Sequence, residues 1–257
     1  MRVDEEGLDT DHLASLLEEG ARPKVVYVIP DFQNPTGATL SAARRAHLAA
    51  LSERYGFVVL ADDAYRPLRF EGEEPGGLPG DGGNLVRVST FAKTLGPGLR
   101  LGWAVLPEWL VPAVVRIRQN QDQHSSLLTQ RAVAELLGRP GAYDGILDRA
   151  RSIYRARSTA LRRALEGLAP DRIRLEPVRG GIFAWARILD DEVDVVRLRR
   201  VANELGTDFS VGTYFDPSGS GAFADRVRLG FSGHDEARLR DAATRLSQAL
   251  GDPRSRG

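Results

Sequence analysis

The stretch Ser89-Thr-Phe-Ala-Lys-Thr-Leu-Gly-Pro-Gly-Leu-Arg-Leu-Gly-Trp103 places one lysine, Lys93, in a hydroxyl-rich turn between two apolar runs. A lysine at the end of a buried strand is partly desolvated, which suits an amine that forms an imine. The hydroxyl of Thr90 and the planar guanidinium of Arg100 suit an anion such as phosphate. The stretch therefore predicts a reactive lysine beside an anion site. For Lys93 taken alone, a solvated loop lysine is the alternative.

Composition excludes several classes of protein. The 257 residues suffice for one large domain or two ordinary ones, and 35 basic residues balance 35 acidic ones, which argues against nucleic-acid and membrane partners. No cysteine is present, so disulfides and thiolate metal sites are excluded, and we expect no metal. No apolar run approaches the roughly 20 residues of a membrane span, and no signal-peptide core is visible. We expect a soluble, cytoplasmic protein.

The first half of the chain alternates predicted strands and helices. Its apolar runs and turn formers predict strand 24–30, helix 41–55, strand 57–61, surface loop 71–84 and strand 85–89. Continuous apolar runs are typical of strands covered on both faces of a parallel sheet. In such a sheet, ligand groups collect at the carboxyl ends of the strands. Asn34, Asp62 and Lys93 each come just after such an end.

The second half begins with a helical pattern and continues as a smaller α+β unit. Its predicted helices are 107–119, 125–137, 143–168, 193–205 and 234–250. Its predicted strands are 173–177, 182–187, 209–211 and 226–231. Residues 252–257 are expected to form a frayed tail.

Four motifs occur in order along the chain: Asn-Pro-Thr-Gly at 34–37, Asp-x-Ala-Tyr at 62–65, Thr-Phe-Ala-Lys at 90–93 with Arg100, and Arg-Leu-Gly-Phe-Ser at 228–232. The chain resembles the fold type I pyridoxal-phosphate aminotransferases. Besides the four motifs, two passages carry the resemblance: PDFQNPTGATLSAARRAHLAALSERYGFVVLADDAYRPLRFEGE and STFAKTLGPGLRLGW. The resemblance is nearest to the class I/II branch with 2-aminoadipate and broad-specificity amino-acid aminotransferases, and it extends from about Val3 to Leu250.

This resemblance implies an α/β fold in two parts. Residues 1–140 would form the C-terminal part of the large cofactor-binding domain, with a mixed, mostly parallel sheet and helices on both faces. Residues 141–257 would form a linking long helix and a smaller C-terminal α+β domain. The four strands of the first part would be neighbours in the family's sheet, so a contiguous four-stranded core is expected.

The resemblance also implies how four residues meet the cofactor, pyridoxal 5'-phosphate (PLP). Lys93 matches the lysine that forms the Schiff base and moves the proton at the substrate α-carbon. Asp62 matches the carboxylate that pairs with the pyridinium nitrogen. Tyr65 and Asn34 match the hydrogen-bond donors to the phenolic oxygen of the ring.

Three further residues are implied as anion ligands. Thr90 and Arg100 match phosphate ligands, and Arg228 matches the arginine that binds the α-carboxylate of the substrate through a bidentate fork. The Asn34-Pro35 peptide bond is expected to be cis. The implied reaction transfers an amino group from an amino acid to a 2-oxo acid.

Other interpretations of individual residues remain open. Asp63 competes with Asp62 as the ring partner, and the Asp-x-Ala-Tyr register favours Asp62. Tyr65 is alternatively a core aromatic residue. Arg226 competes with Arg228, since strand alternation sends both to one face, and the residues after Arg228 favour the latter.

The sequence departs from the family at its N-terminus, because the resemblance begins in the middle of the usual large domain. We therefore expect a homodimer, or completion by a missing N-terminal segment. A truncated form, a natural short form and an inactive remnant are the three explanations considered. Alternative functions are another PLP reaction such as that of a β-lyase, the effector domain of a transcription regulator, and a non-catalytic partner subunit.

Overall fold

The computed structural model describes residues 2–79 and 83–257 of the chain. Its contacts divide the chain into two compact units. The first comprises Met1–Gln33 and Ala38–Ala150, and the second comprises Asn34–Gly37 and Arg151–Gly257. The expected domain boundary between residues 140 and 141 stays a prediction.

The first unit is built on a four-stranded sheet. The strands up to residue 105 are β1 (Val3–Asp4), β2 (Gly7–Leu8), β3 (Val25–Val28), β4 (Val58–Asp62), β5 (Leu85–Thr90) and β6 (Gly102–Val105). The helices are α1 (Thr10–Glu18), α2 (Ala42–Tyr55), α3 (Val111–Gln121), α4 (Leu127–Gly138) and α5 (Ala142–Leu168), the last of which continues into the second unit. The order in the sheet is β3-β4-β5-β6, with β3, β4 and β5 parallel and β6 antiparallel. The predicted contiguous four-stranded core is confirmed.

Helices α1 and α2 cover one face of this sheet. The carboxylate of Asp9 caps α1, the hydroxyl of Ser41 caps α2, and Gly56 ends α2 with φ +73°. Their apolar stripes pack on alternate strand residues, and the buried cluster consists of Leu8, Leu13, Leu17, Val26, Val28, Leu40, Leu48, Leu51, Phe57, Val59, Ala61 and Leu78. Burial of these apolar side chains stabilises the unit.

The opposite face of β3 is exposed, whereas the sequence predicted that both faces are covered. Val25 and Tyr27 are 52 % and 56 % exposed, whereas their neighbours Val26 and Val28 are buried. The prediction that the strand 24–30 is covered on both faces is therefore wrong for the described chain, because α1 and α2 pack on the same side. An aliphatic run alone does not tell which faces are covered.

The second unit consists of an antiparallel sheet, the C-terminal part of α5 and two further helices. After α5 come β7 (Ile173–Leu175), β8 (Phe183–Ile188), α6 (Val195–Glu204), β9 (Ser210–Val211), β10 (Arg226–Gly230) and α7 (Glu236–Gly251). The strand order is β7-β8-β10-β9, with every pair antiparallel. The predicted fold class, a mostly parallel α/β sheet followed by a smaller α+β part, is confirmed by this arrangement and by the comparisons below.

The C-terminal tail is ordered, contrary to the expectation of fraying. Pro253–Ser255 form a 3₁₀ turn, and the fully buried Ser255 donates its hydroxyl to the Ala249 carbonyl at 2.7 Å. Its own carbonyl accepts a hydrogen bond from Asp194 N–H at 2.9 Å. These bonds tie the tail to the end of α7 and the start of α6.

Two further sequence expectations concern the loop 71–84 and membrane-spanning helices. The predicted surface loop 71–84 has neither helix nor strand in residues 71–79 and 83–84, and residues 80–82 lie outside the described part of the chain. Among residues 2–79 and 83–257, no helix has the length and apolarity required to cross a bilayer.

Candidate active site

Asp62 lies at the carboxyl end of β4 with both carboxylate oxygens engaged. Oδ2 accepts a hydrogen bond from the hydroxyl of Tyr27 at 2.8 Å, and Oδ1 accepts one from the backbone N–H of Ala64 at 3.2 Å. Partial burial and the hydrogen bond to Asp62 raise the pKa of Tyr27 above its ordinary range, so the phenol keeps its proton and remains a donor. The two donors fix the plane of the carboxylate.

Lys93 and Tyr65 lie at the same edge of the sheet as Asp62. Asp62 pairs with Val88 in the parallel register of β4 and β5, so the carboxyl ends of these strands meet there. Tyr65 follows β4 and is 6 % exposed, and Lys93 lies half-buried in the turn after β5. The Lys93 Nζ atom is 5.9 Å from the centroid of the Tyr65 ring, which places an amine over an aromatic face.

The turn that carries Lys93 is closed by local hydrogen bonds. The hydroxyl of Thr90 accepts from Ala92 N–H at 3.0 Å and donates to the Leu101 carbonyl at 3.2 Å. To donate to a phosphate, this hydroxyl has to rotate away from Leu101.

Arg100 is exposed and has the left-handed φ of +48°, a conformation that costs a non-glycine residue roughly 1–2 kcal/mol. Such backbone outliers cluster at functional sites.

Tyr143, at the start of α5, supports the same turn. Its hydroxyl donates to Thr94 Oγ1 at 3.2 Å, and its ring meets Phe91 edge to face with centroids 6.3 Å apart. Phe91 and Thr94 flank Lys93 in sequence. The contacts therefore fix the backbone on both sides of the lysine.

Gly102 lets β6 approach β5 beside this turn. A Cβ atom at this position would lie 2.6 Å from the Ser89 carbonyl oxygen, a distance that real Cβ atoms do not reach. Gly102 pairs with Thr90 in the antiparallel register. The close approach therefore requires glycine, and this explains the glycine of the Arg-Leu-Gly-Trp sequence.

Asp63, the competing ring partner, is buried. It is 8 % exposed, and its burial raises the pKa of its carboxyl, while the nearby guanidinium groups of Arg66 and Arg87 oppose the shift. Asp62, its neighbour, instead lies at the strand end with the contacts described above. Successive side chains of an extended segment point to opposite faces, which accounts for the difference.

A buried ion cluster holds the loop between β3 and α2. Asp31 pairs with Arg45 at 3.0 Å and with Arg69 at 2.6 Å. Arg45 is 1 % exposed and also donates to the carbonyls of Pro30 and Leu40, at 3.1 and 2.8 Å. One guanidinium therefore binds both ends of the loop that contains Asn34.

Arg228 lies on β10 in the second unit and is held by two hydrogen bonds. Its Nη1 donates to Asn34 Oδ1 at 2.6 Å, and its Nη2 donates to the hydroxyl of Ser210 on the neighbouring strand at 3.2 Å. The guanidinium carbon is 4.1 Å from the Phe183 ring centroid and 4.8 Å from that of Phe215. These two aromatic contacts restrict the plane of the fork.

Arg226 has different partners, although it lies on the same face of β10. Its Nη1 donates to Glu176 Oε1 at 2.9 Å, and its Nε is 3.5 Å from Asp225 Oδ1. Its charge is therefore balanced by two carboxylates of the protein. The structure thus separates two arginines that strand alternation alone cannot distinguish.

The residues expected at the site fall into two groups, one in each unit. Asp62, Tyr65, Thr90, Lys93 and Arg100 belong to the first unit, and Asn34 and Arg228 belong to the second. The Asn34-Pro35 bond is cis, as expected.

Sequence reasoning missed Tyr27 and Ser210, which contact Asp62 and Arg228. It also missed Tyr143, which contacts Phe91 and Thr94 in the turn that carries Lys93. One signal was available for Tyr27: it is the single hydroxyl-bearing side chain in the run Val25-Val-Tyr-Val-Ile29. Identifying its partner also requires the β3–β4 register, which the run does not contain.

A comparison with protein families matches residues 2–246 to the aminotransferase class I and II family. The chain belongs to this family. The match covers both units, so the aminotransferase fold extends over nearly the whole chain.

Individual proteins support the assignment to the aminotransferases. The 2-aminoadipate transaminase of Thermus thermophilus is 33 % identical over 255 residues, 96 % of this chain and 62 % of that protein. The crystal structure of LysN, an alpha-aminoadipate aminotransferase from Thermus thermophilus complexed with N-(5'-phosphopyridoxyl)-L-leucine, matches with a TM-score of 0.89 and 31 % identity. That match covers 98 % of this chain and 64 % of LysN.

A regulator is also similar to this aminotransferase-family chain. The uncharacterised HTH-type transcriptional regulator YisV of Bacillus subtilis (strain 168) is 34 % identical over 185 residues, 71 % of this chain and 38 % of the regulator. The chain spans 62 % of the transaminase's length and 64 % of LysN, so it corresponds to about three fifths of each.

Proposed function

We propose that this chain carries the catalytic lysine of a PLP-dependent aminotransferase that moves an amino group from an amino acid to a 2-oxo acid. The observation that carries the proposal is that Asp62, Tyr65 and Lys93 lie at the same edge of the sheet, at or just after the carboxyl ends of β4 and β5, with Lys93 Nζ 5.9 Å from the Tyr65 ring centroid. This placement occurs in a chain of the aminotransferase class I and II family.

The side chains of this edge fit PLP. A carboxylate with a fixed plane suits a pyridinium nitrogen, and the hydroxyl of buried Tyr65 suits a phenolic oxygen. Arg100 offers a planar donor fork to a phosphate, with Thr90 as a second donor. When bound, PLP supplies an electron-withdrawing ring that takes up the electron pair released at the substrate α-carbon.

Each residue then has a distinct role in our proposal. Lys93 Nζ would hold the cofactor, and its amine would move the proton at the substrate α-carbon. Asp62 keeps the pyridine nitrogen protonated through its negative charge. Its position at the strand end, and the burial of Asp63, favour Asp62 for this role.

Substrate recognition is assigned to Arg228 of the second unit. Arg228 binds the α-carboxylate through its planar fork, whose plane is already set by Phe183 and Phe215. Asn34 would donate to the phenolic oxygen of the cofactor. The engagement of Arg226 with Glu176 and Asp225 supports Arg228 as the substrate ligand.

The test uses the purified chain, PLP and borohydride. We expect a protein-bound absorbance band with PLP, and reduction followed by peptide mapping should place the label on Lys93. Lys93→Ala should abolish the label, and the matched control Lys24→Ala, which removes the other lysine of the chain, should retain it. Label on Lys24 or the N-terminus alone would overturn the proposal.

Turnover separates the aminotransferase from its alternatives. Amino-donor and 2-oxo-acid pairs should yield the new amino acid. Release of ammonia with a keto acid would indicate a β-lyase, and cofactor binding without turnover would favour an effector domain, as in a regulator. The homodimer and the cytoplasmic location remain predictions.

A further inference from the structure

Tyr27 occupies a position that the roles above leave unassigned. It lies in the middle of β3 and pairs with Leu60 in the parallel register with β4. Side chains alternate along a strand, so Asp62, two residues after Leu60, points to the same face as Tyr27. The diagonal contact of the two side chains is the 2.8 Å hydrogen bond from the phenol to Asp62 Oδ2.

Tyr27 contacts Asp62 through its hydroxyl. Its side chain is on the face of β3 opposite the buried cluster, and it is 56 % exposed in the described chain. Val26 and Val28 lie on the other face and belong to that cluster. The hydrogen bond to Asp62 is therefore the contact through which Tyr27 bears on the site.

The hydroxyl acts on the orientation of Asp62. Rotation of the carboxylate about its Cβ–Cγ bond would break the bond from Tyr27 to one oxygen and the bond from Ala64 N–H to the other. A carboxylate has about four acceptor positions, so an additional donor still has room. Fixing the acceptor before the ligand arrives is the preorganisation on which electrostatic stabilisation depends.

We propose that Tyr27 is a positioning residue that holds the Asp62 carboxylate in the plane needed to meet the ring nitrogen of PLP. The inference rests on the proposed function. It assigns Tyr27 no contact with the substrate and no step of proton transfer.

The ionisation behaviour of Tyr27 is consistent with a permanent donor. Partial burial is the first cause of its raised pKa, and the hydrogen bond and negative charge of Asp62 add to it, with a smaller contribution from Tyr65. The phenol therefore stays protonated through neutral and moderately alkaline pH. A free tyrosine begins to lose its proton as the pH nears about 10.

The contact is tested first without cofactor. Phenolate absorbance of the full chain, which has six tyrosines, is followed during alkaline titration. We expect Tyr27 to contribute a late-ionising phenol in the wild type. Tyr27→Phe should remove it, and Asp62→Asn should move it toward the ordinary range. A titration curve unchanged by Asp62→Asn would overturn the proposal.

PLP affinity then tests the positioning role. Tyr27→Phe keeps the ring and should weaken PLP binding about tenfold, the effect of losing a hydrogen bond to a charged group. In the Asp62→Asn background the same substitution should have little further effect. The matched control is Tyr214→Phe, which removes an exposed hydroxyl that accepts from Arg199 in the second unit. We expect this control to leave PLP affinity unchanged.

The outcomes separate this proposal from the proposed function. A wild-type chain that binds no PLP overturns both. A chain that binds PLP at Lys93, yet loses the same affinity through Tyr27→Phe with and without Asp62, overturns the positioning role alone. The melting temperature of Tyr27→Phe should stay near that of the wild type, and a large fall would assign the hydroxyl to stability instead.

Discussion

Arg228 donates a hydrogen bond from Nη1 to Oδ1 of Asn34 at 2.6 Å. The pair joins the arginine proposed for the substrate carboxylate to the amide proposed for the cofactor's phenolic oxygen. Because Oδ1 accepts from Arg228, the amide nitrogen of Asn34 points the other way as a donor. A substitution of either residue should therefore alter the binding of both the substrate and the cofactor.

Replacement of Arg228 by lysine should raise the KM for the amino acid by at least about tenfold. An ammonium lacks the planar fork and cannot replace the bidentate carboxylate contact. Steady-state kinetics over a range of amino-donor concentrations gives the KM. Arg226→Lys is the matched control, since this arginine pairs with Glu176, and it should leave the KM unchanged. Equal effects of the two changes would contradict the assignment of Arg228.

Replacement of Arg45 by methionine should lower the free energy of unfolding by about 3 kcal/mol, because it removes one partner of the buried Asp31. Urea denaturation measures the change. Arg162→Met breaks an exposed pair with Glu166 and should cost no more than about 0.5 kcal/mol. Similar losses for the two variants would show that the buried cluster contributes no more to the free energy of unfolding than an exposed ion pair does.

The burial of Asp63 should make the protein less stable as the pH rises through the acidic range. Its folded-state pKa is raised by burial, so the folded protein favours the neutral acid, and stability falls as pH rises from the unfolded pKa through the folded one. Asp63→Asn should therefore raise the free energy of unfolding at neutral pH, and the gain should disappear in acid. Exposed Asp171→Asn is the control. A gain that is the same at both pH values would contradict the assignment to this carboxyl.

Gly102→Ala should destabilise the first unit by about 2 kcal/mol, since the new methyl group overlaps the Ser89 carbonyl and forces β6 away from β5. Thermal denaturation checks this, and PLP binding should weaken because the turn of Lys93 begins at the same place. Gly98→Ala, where no atom of the described chain lies within 4 Å of the added Cβ, is the matched control. A stable Gly102→Ala variant with normal PLP binding would contradict the steric account.

Local patterns predict the strands and the strand ends after which Asp62 and Lys93 follow, whereas the order of the strands in the sheet is implied by the resemblance to the aminotransferases. Apolar runs mark β4 and β5, and the turn formers after them mark the edge where Asp62 and Lys93 meet. The burial of Asp63 requires the extended backbone to continue one residue past β4, and the apolar run does not show where this strand ends. Arg45 is part of the basic pair Arg44-Arg45 in α2, a pattern typical of a solvated face, yet it is 1 % exposed. Its burial depends on the carbonyls of Pro30 and Leu40, which only the folded loop brings within reach.

Four residues give this protein a discontinuous architecture. Asn34–Gly37 belong to the second unit, while the chain immediately before and after them belongs to the first. A fragment that starts at Arg151 would therefore keep Arg228 but lose its Asn34 partner, and a fragment that ends at Ala150 would keep Asn34 without the arginine. Neither unit can be excised as a continuous gene segment. A division of the gene within α5, between Ala150 and Arg151, would separate Arg228 from Asn34, so the pair forms only in one polypeptide or in two fragments that reassemble.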